Sequence, residues 1–142
     1  MKSINFDVLL FQEGDAHIAV CPDLKTVDQG TTQEEAINNL LQTTHIYLQE
    51  SKRANIYPSF VVENEILNSL SPPLPQVSAC KVIAVLQRLG FRRTNQSVVL
   101  KKQSHIGDII CVVPLRSPLT SSTTWNILYT AGITLQEFLE NL

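Results

Sequence analysis

Ser71-Pro72-Pro73-Leu74-Pro75 divides this 142-residue chain. Three prolines in five residues remove three backbone donors and keep their neighbours out of helix, so the stretch reads as a linker with structure on either side. Working outward, residues 1–76 hold four Lys/Arg against ten Asp/Glu, a net charge of −6, whereas 77–142 hold seven against three, a net charge of +4. Opposite fields attract, so the acidic half should dock on the basic half of its own chain or of a second copy. The basic half taken alone suits a polyanion such as RNA. The expected organisation is an N-terminal module over 1–70, a linker over 71–76 and a C-terminal module over 77–142.

Two modules of roughly 70 residues would each be marginal alone, and a shared surface would help both. With 44% hydrophobic and 17% charged residues the chain has the composition of a globular domain. No apolar run approaches the roughly 20 residues that cross a bilayer. M-K-S-I-N-F-D places an Asp before any apolar stretch, unlike a secretory signal, so a cytoplasmic location and no membrane association are expected. Cys21, Cys80 and Cys111 are far apart and sit among apolar residues, as reduced core cysteines do. No CxxC or paired-His spacing is present, so neither a metal nor another cofactor is expected.

In the first module Ile4–Phe11 and Ala16–Cys21 flank Gly14-Asp15 as a hairpin. Lys25–Gln29 offers a third strand, and Thr32 with Glu35 is a capping-box pattern opening a helix. Ala36, Ile37, Leu40, Leu41, Thr44, Tyr47 and Leu48 give that helix one apolar face through about Gln49. Pro58–Glu63 reads as an edge strand, where a missing donor is tolerated. In the second module Ser78 caps a helix with Val82, Ile83, Leu86 and Leu89 on one face and Gly90 as its C′ residue. Phe91–Lys102, which could be bent into two strands, and Ile109–Pro114 form a strand pair turned at Gly107-Asp108. Thr124–Ala131, ended by Gly132, and a helix opened by Thr134 and Glu137 cover it. The fold class is α+β in two modules: an antiparallel sheet with one long helix, then α-β-β-(β)-α with a last helix.

The order C-P-D-L at 21–24, Q-G-T-T-Q-E-E-A at 29–36 and Y-L at 47–48 resembles the HicB-like antitoxin domain. The segments L-P-Q-V-S at 74–78, K-V-I-A-V-L-Q-R-L-G-F at 81–91, V-P at 113–114 and I-L-Y-T-A-G-I-T-L-Q-E-F-L at 127–139 resemble the HicA-like toxin domain. The resemblance implies a partial RNase H-like first module and a dsRNA-binding-domain-like second one. It also implies descent from an antitoxin and an mRNA interferase joined in one polypeptide; the opposed charges of the halves, which can pair between copies, lead to the expectation of a homo-oligomer. Such toxins cleave RNA with a His in a G-S-H segment. Here N-Q-S-V-V-L-K-K at 95–102 stands in that place, with Ser97 or Leu100 at the His position depending on the alignment. Neither is a general base, so an inactive or self-neutralised protein is expected; the alternatives are a weak endoribonuclease and a non-cleaving RNA-binding protein. A toxin-like module stands where such antitoxins carry a DNA-binding module, so no DNA partner is expected.

RNA cleavage needs one group to take the 2′-hydroxyl proton and one to protonate the leaving oxygen, and His suits both. His105 in Q-S-H at 103–105 is the candidate; against this, a polar residue beside a turn needs no catalytic reason. Arg92, Arg93, Lys101 and Lys102 crowd the strand pair and are the candidate RNA contacts, Arg92 and Lys102 sharing an edge; a solvated strand face is the plainer reading. Trp125 and Tyr129, four apart, suit packing more than base stacking. Asp7, Glu13, Asp15, Asp23 and Asp28 read as a solvated or partner-facing acidic surface rather than a metal site.

Overall fold

A computed structural model describes residues 2–53, 55–68, 74, 76–94, 98–116 and 118–142, with the backbone alone at Lys2 and 62–68. Ser71, Pro72, Pro73, Pro75 and Ser97 lie outside the described residues. The N-terminal half builds β1 (Lys2–Glu13), β2 (Ala16–Cys21), β3 (Thr26–Gly30), α1 (Gln33–Glu50) and β4 (Ile56–Asn68). β1, β2 and β3 form the antiparallel meander that the turn residues imply, Leu9 facing Val20 and Ala19 facing Asp28. β4 completes the order β3-β2-β1-β4 and runs parallel to β1, so the sheet is mixed rather than wholly antiparallel. A parallel neighbour needs a crossover, which α1 supplies. Pro58 lies, as expected, on an edge strand.

Thr32 caps α1 by accepting from the Glu35 amide at 3.1 Å, while the Glu35 carboxylate takes the Thr31 hydroxyl at 2.9 Å, a capping box displaced by one residue. The end of β3 presses against this turn: a Cβ on Gly30 would stand 2.7 Å from the Ala36 nitrogen, so the position is closed to any other residue without a backbone shift.

The C-terminal half builds α2 (Ala79–Arg88), β5 (Arg92–Arg93), β6 (Val99–Ser104), β7 (Gly107–Val112), α3 (Ser121–Ala131) and α4 (Leu135–Glu140). The first strand of the expected pair is two, β5 and β6, in a sheet of order β5-β6-β7. Ser78 caps α2, Gly90 follows it at φ +100°, and Thr134 with Glu137 closes a full capping box on α4. Three local expectations are corrected. The β6–β7 turn is His105-Ile106, with Ser104 opposite Gly107, whose φ of +120° starts β7. α3 begins at Ser121 rather than Thr124, because Thr120 is the better-placed cap and accepts from the Thr123 amide. Cys80 is exposed, since Ala79, Val82 and Ile83 take the inner face of α2 and leave Cys80 beside Lys81 on the outer one.

The core has two parts, one on each face of the first sheet. Alternate residues sort them: Val8, Leu10, Ala19 and Cys21 point to α1 with Ala36, Leu40 and Leu48. Ile18, Val20 and Val27, on the opposite face, belong to one continuous cluster with Val82, Leu86, Leu100, Cys111, Ile127, Leu128 and Phe138 of the C-terminal half. α3 lies between the sheets, touching β2 and β3 on one side and β7 on the other. Leu74 is buried and its amide donates to Ser121 Oγ at 2.8 Å, so part of the proline-rich segment is seated on α3.

Polar contacts complete this junction. Glu13, at the end of β1, receives the Ser121 amide at 2.9 Å, the Ser122 amide at 3.3 Å and the Ser122 hydroxyl at 3.0 Å. A carboxylate there meets the free amides and positive end of the α3 dipole. Glu13→Ala should therefore lower stability by about 1–2 kcal/mol, with Glu13→Gln losing less because it keeps an acceptor. Urea denaturation of the three proteins measures the order, and equal midpoints would refute it. Gln29 bridges as well, accepting from the Thr120 amide at 2.9 Å and donating to the Pro118 carbonyl at 3.0 Å.

Candidate nucleic-acid interface

The helix α2 ends at Arg88, and Gly90, at positive φ two residues on, turns the chain into β5 so that Arg92 and Arg93 lie on the short edge of the second sheet. β6 runs antiparallel beside it, placing Lys101 directly opposite Arg92 and Leu100 opposite Arg93. The four cations singled out from the sequence line one open groove of about 480 Å³, together with Thr94, Gln103 and Asp108. Arg92 and Lys102 both line the groove, while the register sets Lys101 directly opposite Arg92. Arg92 and Arg93 are exposed.

The two lysines are tethered. Lys101 Nζ lies 3.1 Å from Glu50 Oε2, at the last residue of α1. Lys102 Nζ donates to the Leu89 carbonyl at 3.0 Å, at the negative end of α2, and stands 5.7 Å from the Phe91 ring centroid. These anchors hold the charges along the groove instead of leaving them on free chains. A second ion pair between the halves joins Arg116 Nε to Asp28 at 3.3 Å. These two pairs are accompanied by a large apolar cluster, so the junction rests on burial more than on the opposed net charges.

The candidate catalytic residues do not converge. Leu100 is fully buried in the core. His105 is exposed in the β6–β7 turn, just past the end of β6, and is not among the residues lining the groove. His17 is on β2 and His45 on α1, where His45 Nε2 meets Gln49 Nε2 at 3.1 Å. The buried thiols are no substitute: desolvation pushes Cys111 up to about 12, and raises Cys21 despite the opposing Leu24 backbone hydrogen bond. Both stay protonated near neutrality and are poor nucleophiles.

Trp125 packs against the core cluster, whereas Tyr129 is 74% exposed, with Lys25 Nζ 5.7 Å from its ring centroid. The packing expected of the stripe thus holds for Trp125 and is corrected for Tyr129, which rotates to the outer side of α3. Of the acidic set, Glu13 and Asp28 are bound at the junction. Asp28 is 1% exposed and accepts from Thr43 Oγ1 at 2.7 Å. No group of three metal-ligating side chains occurs among the described residues, and none of their helices is long and apolar enough to cross a membrane. Sequence reasoning missed Glu50 as the ion-pair partner of the groove residue Lys101; the anomaly that could have marked it is a carboxylate at a helix C-terminus, where the dipole disfavours one.

No family model, curated protein or solved structure matches the chain. The residues define an α+β protein carrying an open groove lined by Arg92, Arg93, Lys101 and Lys102.

Proposed function

We propose that this protein binds the phosphate backbone of RNA without cleaving it, and that it derives from an antitoxin-like and a toxin-like module fused in one chain and docked on each other. The observation that carries the reading is the convergence of Arg92, Arg93, Lys101 and Lys102 on one open groove. Cations gathered from β5 and β6 on one groove suit neighbouring phosphates, while the lack of an aromatic stacking set among the described groove residues argues for binding insensitive to base sequence. The absence of any imidazole among those same residues favours binding over the endoribonuclease alternative, which would have to rest on His105.

The test uses the full chain and a fluorescent single-stranded oligouridylate. Affinity should fall steeply with salt, and Arg92→Gln/Arg93→Gln should weaken binding about 10–100-fold at low salt. It should also flatten the logarithmic salt dependence by about 1.4, at about 0.7 for each single-strand phosphate that the variant no longer neutralises. The RNA should stay intact on prolonged incubation. Salt-independent binding, or the same affinity in the double variant, defeats the reading; cleavage that disappears in His105→Ala would establish the nuclease instead.

A further inference from the structure

Arg92 and Lys101 face each other across β5 and β6. Like charges directly opposite on neighbouring strands repel, so the pair calls for an anion. Glu50 meets that need, with Oε2 at 3.1 Å from Lys101 Nζ. It does so from an unfavourable place: it is the last residue of α1, beside the negative end of the helix dipole, and no basic residue occupies that last turn. The dipole favours a cation rather than a carboxylate there. Its stabilising partner belongs to the groove. The pair is also solvent-accessible, the Lys101 side chain being 34% exposed and that of Glu50 18%. An accessible pair of this kind exchanges readily for another anion.

We infer that Glu50 is a built-in counter-anion for Lys101, in addition to the Asp108 carboxylate in the groove lining, and that a phosphate entering the groove displaces Glu50 from Lys101. The inference rests on the groove's being a phosphate-binding surface and adds how that surface is regulated from the N-terminal half. Ligand on Lys101 and contact between Glu50 and Lys101 are mutually exclusive. Anything that holds the C-terminal end of α1 against β6 weakens binding, and by reciprocity bound phosphate loosens that contact. The modest strength of an accessible ion pair sets the scale: Glu50 tunes affinity within about tenfold and does not act as an all-or-none block.

The experiment measures oligouridylate binding by the full chain at low salt in wild type, Glu50→Gln, Lys101→Gln, their combination, and Glu34→Gln. Glu34→Gln makes the same change of charge at the opposite end of α1, in its first turn. Glu50→Gln is expected to tighten binding about 2–5-fold, as removal of a competing exposed pair implies, and Glu34→Gln to leave it nearly unchanged. Lys101→Gln should weaken binding more in the Glu50→Gln background than in wild type, because only there is Lys101 released from Glu50 before the ligand arrives. Far-UV circular dichroism checks that each variant is folded. If wild type binds and Glu50→Gln matches Glu34→Gln, the displacement is refuted while the groove stands. If neither wild type nor Glu50→Gln binds, or Arg92→Gln/Arg93→Gln binds as wild type does, the groove reading fails and this inference with it.

Discussion

Ile18→Ala should lower the stability of the whole chain by about 2–5 kcal/mol, the cost of emptying a fully packed aliphatic site, and should do so in one transition. Ile18 is on β2, yet its side chain is completely buried in the cluster built mainly by α2, α3, α4 and the second sheet. Removing it takes support from both halves at once. Trp125, the sole tryptophan, packs against this cluster and reports the C-terminal half. The 18-residue α1 dominates the helical signal of the N-terminal half. Urea unfolding followed by Trp fluorescence and by circular dichroism should shift to the same lower midpoint. A fluorescence transition left at the wild-type midpoint would mean that the halves fold independently.

Asp28→Ala is the second large effect. The carboxylate is almost fully buried and ties three segments together: Thr43 Oγ1 of α1 donates to it at 2.7 Å, the Gln29 amide at 2.7 Å, and Arg116 Nε at 3.3 Å. Its removal leaves the buried Thr43 hydroxyl without this acceptor and Arg116 without its counter-charge. Losing one partner of a buried charged network costs about 3–5 kcal/mol; because the Arg116 side chain is 37% exposed and can turn to water, about 2–4 kcal/mol is expected here. A double-mutant cycle checks the cause. Thr43→Val should cost about 1 kcal/mol in the wild type and close to nothing in Asp28→Ala, where the hydroxyl no longer has the carboxylate to bond. Equal costs in both backgrounds would show that Asp28 acts through something other than this network.

Both effects arise at the junction between the halves, which explains why the charge split was an incomplete guide to it. The −6 and +4 halves do meet, and Glu13, Asp28 and Glu50 are acidic residues that touch the basic side. Most of the contact is nonetheless aliphatic. Net charge records how many carboxylates a segment has; it does not record that one of them caps a helix or that three valine and isoleucine side chains complete a neighbour's core.

The sequence by itself determined what depends on neighbours within a few positions. Thr32, Ser78 and Thr134 mark helix starts because a side-chain oxygen reaches an amide about three residues on, and Gly90 and Gly132 mark helix ends because the chain turns there through positive φ. Alternation in 16–21 placed β2, and four cations within eleven residues marked the basic hairpin. Tertiary structure decided what depends on distant partners. It laid β4 parallel to β1, gave Ile18 and Val20 to the far core, and turned Tyr129 outward while Trp125 packed. It also set the β6–β7 turn at His105-Ile106 and brought Glu50 across to Lys101, a separation of 51 positions. Such pairings depend on which faces remain uncovered once the local elements exist, and that is a property of the assembled chain rather than of any stretch of it.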